Sequence, residues 1–119
     1  MATYSKQALS GATTGVPIPV GATGGVGTNG TTIHATGTSA IDEVWLYATN
    51  TDSAARTLTI QFGGTATVNQ IQQSIPANSG LTLIIPGLIL APSGSAITVY
   101  AYASVASVVN ISGYVNRVA

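Results

Sequence analysis

The sequence predicts an all-β fold, an antiparallel β-sandwich with a jelly-roll-like arrangement of about eight short strands. Short segments alternate apolar and polar residues, as in TLTIQF at 57–62 and ITVYAYA at 97–103. This is the pattern of a strand with one buried face. Turn-forming stretches separate these segments, including GG at 63–64, PANSG at 76–80 and PSGS at 92–95. No segment shows a sustained helical period with caps, so no long helix is expected.

An extended N-terminal arm is expected over residues 1–30. Glycine is frequent from residue 11 to residue 32, and the prolines within VPIPV favour an extended backbone without helix. The apolar side chains of VPIPV recur at every second position, which suits a segment laid along a neighbouring subunit or shell. A mobile linker is the alternative. The candidate contacts of this arm are Val16, Pro17, Ile18, Pro19 and Val20.

A single β-sandwich domain is expected over residues 31–119. KQALSG at 6–11, within the arm, reads as either one helical turn or an edge strand. Pro86-Gly87 is expected to break a buried strand into two pieces. The strands expected in the domain lie near TTIHA at 31–35, IDEVWLYATN at 41–50, TLTIQF at 57–62, TVNQIQQSIP at 67–76, LTLII at 81–85, LILA at 88–91, ITVYAYA at 97–103 and VVNISGYVNRV at 108–118.

Charge is scarce in this chain. Only 5% of its 119 residues are charged, and the net charge is zero. Binding to nucleic acid or to an anionic membrane needs clustered cations, so neither partner is expected. A surface with so little charge repulsion favours a protein covered by copies of itself or by a partner. The alternative is a monomer kept in solution by its Ser, Thr, Asn and Gln side chains. The charged residues are Lys6, Arg56, Arg117, Asp42, Glu43 and Asp52.

No membrane segment or signal peptide is expected. The strongest apolar run, LTLIIPGLILAP at 81–92, is split by a Pro-Gly pair. It is also far shorter than the roughly 20 apolar residues of a spanning helix. The first fifteen residues lack the apolar core of a signal peptide.

The stretch IDEVWLYATN combines adjacent carboxylates with the only Trp of the chain. Neighbours on a strand point to opposite faces, so Asp42 and Glu43 cannot flank one bond as an acid/base pair. The stretch is therefore expected to be a strand with a solvated, charged start, in which Asp42 caps the turn after Ser39. A sugar-binding platform formed by Trp45 and Tyr47 is the alternative.

No catalytic, cofactor-binding or metal-binding residue is predicted, and the protein is not expected to be an enzyme. His34 is the only histidine, and a structural role with backbone pairing is expected for it. The chain contains no cysteine, which excludes disulfides and thiolate chemistry. Motifs for a nucleophile elbow, a zinc protease or a phosphate loop are missing from the sequence.

Seven segments, in order along the chain, carry a resemblance to a known family. They are YSKQALSGATTG at 4–15, VPIPV at 16–20, GTTIHA at 30–35, DEVWLYATNT at 42–51, LTIQFGG at 58–64, IPANSGLTLIIPGLIL at 75–90 and ISGYVNR at 111–117. With these segments, the chain resembles small all-β proteins encoded in the head-gene neighbourhood of tailed bacteriophages.

The resemblance implies a virion structural role. Most such proteins look like capsid decoration, or cement, proteins that bind the major capsid protein on the outside of the shell and commonly form trimers. A tail or baseplate β-domain that touches host glycans is the first alternative, and a cellular carbohydrate-binding module is the second. We expect a homotrimer whose contacts include Tyr100, Tyr102 and Tyr114, since tyrosine is enriched at interfaces.

Overall fold

The computed structural model describes residues 3–119, and these residues form nine β-strands in two sheets. A 3-10 turn at Thr67–Asn69 replaces the start of the strand expected at 67–76. The described residues contain no helix long enough and apolar enough to cross a membrane. The strands are β1 (Tyr4–Ala8), β2 (Ile18–Pro19), β3 (Thr31–Ala35), β4 (Ile41–Asn50), β5 (Arg56–Phe62), β6 (Gln70–Ile75), β7 (Ser79–Leu90), β8 (Thr98–Ala103) and β9 (Val109–Val118).

The two sheets are antiparallel throughout, which confirms the predicted β-sandwich. The five-stranded sheet has the order β1-β9-β4-β7, and the short β2 pairs with the other end of β9. The four-stranded sheet has the order β3-β8-β5-β6. Neighbours within each sheet are mostly far apart in the sequence, so long connections cross from one sheet to the other.

The core lies between the inner faces of the two sheets, and β4 shows how the sequence builds it. Val44, Leu46 and Ala48 point inward and are fully buried, while the residues between them point outward. β-branched and aliphatic residues occupy the same inward positions on the neighbouring strands, including Ile60, Val99, Ile111 and Val115. The period-two alternation read from TLTIQF and ITVYAYA therefore gives the inner faces of β5 and β8 correctly.

The expectation that Pro86-Gly87 separates two strands is wrong, because β7 continues through it. The register between β7 and β4 shifts between Val44 and Trp45, and Gly87 adopts φ 79° there. A bulge with glycine at positive φ admits one extra residue without ending the strand. β7 is also an edge strand, where the missing N–H of Pro86 need not interrupt a ladder.

Two parts of residues 3–20, β1 and the segment around β2, pair with β9 of the same chain. β1 pairs with β9 as an edge strand. Residues 6–8 of KQALSG therefore form an edge strand and not a helical turn. Ile18 and Val20 lie in the core of their own chain, with Val20 only 1% exposed. These two side chains are therefore not available to a neighbouring molecule. Burial beneath β9 removes their apolar surface from water without a partner. Val16, by contrast, is 57% exposed.

The Gly-rich segment from Gly21 to Gly30 lies over the outer face of the four-stranded sheet, where the buried Gln61 holds it in place. The Gln61 amide donates to the carbonyls of Gly25 (2.9 Å) and Thr28 (2.8 Å) and accepts from the Gly30 N–H (2.7 Å). Gly24 lies so close to the ring of Tyr102 that a Cβ would fall 2.2 Å from it. Only glycine fits at this position, because any larger side chain would clash with the Tyr102 ring.

Candidate interaction surface

Exposed apolar side chains are concentrated on one side of the sandwich. Among residues 3–119, every large hydrophobic strand residue that is exposed belongs to β1, β4 or β7 of the five-stranded sheet. The cross-strand registers place most of them on its outer face. We call this surface the apolar face, and it consists of Tyr4, Ile41, Trp45, Tyr47, Leu83, Pro86, Ile89, Tyr114 and Val118.

The opposite side of the sandwich has a different character. Its strands present Thr, Ser and Gln side chains, as at Thr57, Gln72 and Ser74. The strands of this four-stranded sheet expose none of the large hydrophobic residues that the structure describes. The strands of the sandwich are thus two-sided, with an apolar side and a polar side, and the exposed Val26 and Val68 lie in connecting segments of the four-stranded sheet.

Aromatic side chains occupy the centre of the apolar face. Trp45 and Tyr114 are directly opposite each other on β4 and β9, with ring centroids 6.2 Å apart and planes 12° apart. The Lys6 ammonium lies 4.8 Å from the centroid of the Tyr114 ring. A Cβ on Gly87 would fall 2.9 Å from the Trp45 ring, so glycine at this bulge makes room for the indole. Such cross-strand aromatic pairs stabilise a sheet and hold the rings in place.

A polar cluster borders these rings. One Glu43 carboxylate oxygen accepts hydrogen bonds from the Trp45 indole N–H (2.6 Å) and the Asn116 amide (3.0 Å). The hydrogen bond from Trp45 is the main cause that holds the pKa of Glu43 below its ordinary value, and the hydrogen bond from Asn116 adds to it. Glu43 is thus an anchored, half-buried carboxylate rather than a freely solvated one. An open groove of about 320 Å³ runs beside it and is lined by Tyr4, Ser5, Lys6, Glu43, Asn116 and Val118.

Asp42 does not cap the turn after Ser39 as expected. It is fully buried, and its carboxylate lies 2.7 Å from His34 Nε2 and accepts from Arg117 Nε (2.8 Å) and from a terminal nitrogen of Arg117 (3.0 Å). Burial alone raises the pKa of Asp42. The hydrogen bonds and charges of Arg117 and His34 outweigh it, so the pKa of Asp42 is lowered overall. The same contact raises the pKa of Arg117.

His34 pairs with the backbone as expected, and in addition with Asp42. The Ser10 N–H donates to His34 Nδ1 at 3.1 Å, which places the ring proton on Nε2, facing Asp42. An Asp–His pair is part of many hydrolase triads. Here, however, the Ser10 hydroxyl accepts from the Ala35 N–H instead of meeting the ring, and His34 is only 1% exposed. The pair joins β3 and β4 to the segment that follows β1.

The sequence-predicted contact residues do not form one surface. Tyr114 is on the apolar face, whereas Tyr100 and Tyr102 are half-buried on the four-stranded sheet, and Tyr102 lies beneath Gly24. Pro17 and Pro19 are exposed beside Val16. No metal-ligating cluster of three or more side chains occurs in the part of the chain that the structure describes.

Sequence reasoning missed Lys6, Leu83 and Ile89 as surface residues. The signal for the last two is the alternation inside LTLIIPGLIL, but the bulges of β7 obscure it because each bulge reverses the alternation.

A comparison with protein-family models, with curated proteins and with solved structures found no match to this chain.

Proposed function

We propose that this protein is a bacteriophage virion structural protein, a capsid decoration or cement protein that binds the major capsid protein on the outside of the head. The observation that carries the proposal is the two-sided surface. One outer face is apolar and suits burial against protein, while the other is polar and suits water. A protein that coats a shell needs this division.

The surface chemistry supports an assembly role over a catalytic one. Monomeric proteins rarely expose a continuous apolar surface of several strands. The titratable groups nearest to a triad, Asp42 and His34, are enclosed in the core and bonded to each other. We propose that the apolar face is covered by protein in the assembled particle.

We propose the jelly-roll class for the domain. With the two-residue β2 set aside, eight strands remain, four in each sheet. Each sheet alternates strands from the early and late parts of the chain, as two Greek keys do, and this order supports the assignment. Jelly rolls are common in viral capsid proteins and in lectins.

We further propose a homotrimer as the unit that binds the shell. The exposed part of VPIPV supplies contacts to the major capsid protein, namely Val16, Pro17 and Pro19. Only part of the expected arm is available for this role, because Ile18 and Val20 are buried in their own chain. Many weak contacts, repeated by the symmetry of the trimer, give a strong attachment through avidity.

A tail or baseplate domain that binds glycans is the second candidate. The observation that favours it is the open groove of the five-stranded sheet, which offers the Tyr4 ring, a carboxylate at Glu43 and an amide at Asn116. Sugars bind by stacking on aromatic rings and by hydrogen bonds to such groups. A glycan array tests this candidate directly.

The main test adds the purified protein to phage capsids that lack it and images the particles by electron microscopy. Density on the shell exterior supports the proposal, density on the tail supports the second candidate, and unbound particles contradict both. Leu83→Lys places a charge on the apolar face and should weaken capsid binding about tenfold, because burial of the exposed part of Leu83, about 0.7–1.4 kcal/mol, is lost and a charge must be desolvated instead.

Gln72→Lys is the matched control, because it adds the same charge to an exposed position of the polar face. It should bind like the wild type. Equal loss in both variants would mean that net charge, rather than the apolar face, governs attachment.

A further inference from the structure

Two of the six charged residues differ from the others because they form no ion pair within residues 3–119. Asp42 pairs with Arg117 and His34, and Asp52 pairs with Arg56. Lys6 and Glu43 have no ion-pair partner among residues 3–119. Both lie on the outer side of the five-stranded sheet, among the uncharged residues of the apolar face.

Lys6 and Glu43 share one row of the five-stranded sheet. Lys6 is opposite Asn116 on β9, and Asn116 is opposite Glu43 on β4. The two charged residues are thus separated by two strand spacings, about 10 Å at roughly 4.8 Å each. The structure forms no ion pair between them, since the Lys6 ammonium lies over the Tyr114 ring instead, and both residues line the same open groove.

This row has the charge complementarity of a contact between identical chains. Each copy carries one cation and one anion on the same face, so a neighbouring copy can set its Glu43 against Lys6. The symmetry of a closed oligomer then repeats the contact. The Glu43 carboxylate is already held in place by Trp45 and Asn116, and only one of its two oxygens accepts those bonds. The second oxygen is open to a partner's ammonium.

The area of the face is sufficient for a specific interface. Four strands about 4.8 Å apart and four rows about 6.8 Å apart cover on the order of 500 Å² per copy, or about 1,000 Å² for two. This reaches the lower bound for a specific protein–protein contact. Aromatic anchors such as Trp45 and Tyr114 at the centre of such a patch are typical of the residues that dominate binding.

We infer that the apolar face is a twofold contact between two copies of this chain, with Lys6 of each copy paired to Glu43 of the other. The inference rests on the self-association proposed above, and not on the trimer or on capsid binding. Val16, Pro17 and Pro19 then supply the direct capsid contacts. The apolar face strengthens attachment by holding copies together, so Leu83→Lys weakens capsid binding through lost avidity.

The test is a charge-swap cycle in which the molar mass is measured by light scattering over a dilution series. Lys6→Glu and Glu43→Lys each place like charges in contact and should raise the dissociation constant of the oligomer at least tenfold. The double variant K6E/E43K restores opposite charges and should bring the constant back to within about threefold of the wild type. Adding salt should weaken the wild-type oligomer, because screening reduces the attraction.

Glu43→Gln controls for loss of the local hydrogen bonds. Its amide oxygen still accepts from Trp45 and Asn116, and only the charge is removed. It should weaken assembly less than Glu43→Lys and leave the circular dichroism spectrum unchanged. A wild type that stays monomeric at micromolar concentration overturns the inference, and so do single swaps without effect. Single swaps that the double variant does not rescue also overturn it, since the two charges would then not be paired with each other. Capsid imaging of the same samples is read separately, so that a failed contact is distinguished from a failed cement function.

Discussion

The buried carboxylate of Asp42 offers the sharpest test of how this sandwich is stabilised. Asp42→Asn keeps the shape of the side chain but removes its charge. The carboxylate receives one hydrogen bond from His34 and two from Arg117, at 2.7, 2.8 and 3.0 Å. An asparagine has one acceptor oxygen, so its amide nitrogen must face a donor of Arg117 in either orientation, and His34 as well in one of them.

The expected loss of stability is about 2–4 kcal/mol. Breaking a buried ion pair by removing one partner costs about 3–5 kcal/mol. The lower part of that range applies because Arg117 is 29% exposed and can turn its guanidinium to water. Asparagine also avoids the desolvation of a charge, which offsets part of the loss. For a domain of this size the melting temperature should fall by roughly 6–15 °C.

Urea unfolding, followed by the fluorescence of Trp45 at fixed protein concentration, measures the effect with a single probe, since the chain has one Trp. Asp52→Asn is the matched control, because Asp52 pairs with Arg56 at the surface, where both groups are partly exposed. It should cost less than about 1 kcal/mol. The reasoning is refuted if both variants lose the same stability, or if Asp42→Asn lies within about 0.5 kcal/mol of the wild type.

The pH dependence of the same difference provides a second readout. The folded pKa of Asp42 is lowered relative to its unfolded value, which is about 3.9 for aspartate. Its stabilising contribution is therefore fully present above that value and is lost as the pH falls through the folded pKa. The gap between the wild type and Asp42→Asn should be constant near neutrality and shrink below about pH 4. A gap that is unchanged at pH 3 would contradict the ionic explanation.

Two further predictions concern close packing and the Gly-rich segment. Gly113→Ala should destabilise the fold by about 1–3 kcal/mol, because its Cβ would fall 2.0 Å from the Trp45 carbonyl. Unfolding midpoints check this against Gly80→Ala, whose Cβ meets open space. Gln61→Ala should release residues 21–30 and increase their amide hydrogen exchange, because three hydrogen bonds to the segment are lost, whereas Gln72→Ala should leave the exchange unchanged. Unchanged exchange in Gln61→Ala would show that other contacts hold the segment.

Much of the fold could be read from local patterns. β5 and β8 lie where the alternation of apolar and polar residues predicts them, and that alternation assigns their inner faces correctly. β7 could not be read in this way. Its register shifts against β4 are set by the partner strand, and an edge position tolerates Pro86 where a central strand would not.

The candidate site was less accessible to sequence reasoning. The stretch IDEVWLYATN drew attention to Trp45 and to the two carboxylates, and neighbours on a strand were correctly placed on opposite faces. The partners of those carboxylates could not be predicted. Arg117 is 75 residues away from Asp42, and Asn116 is 73 residues away from Glu43. Each partner is set by the pairing of β4 with β9.

The sequence by itself determined the β-strand content, the scarcity of charge and the inner faces of the regular strands, because all of these follow from composition and from a period of two along a single strand. Only the tertiary structure decided which side of the sandwich is apolar, that Ile18 and Val20 belong to the core, and that Lys6 and Glu43 share one row. These depend on the register between strands that are distant in the chain. That register is chosen by the packing of the whole core, and a pattern within one segment does not record it.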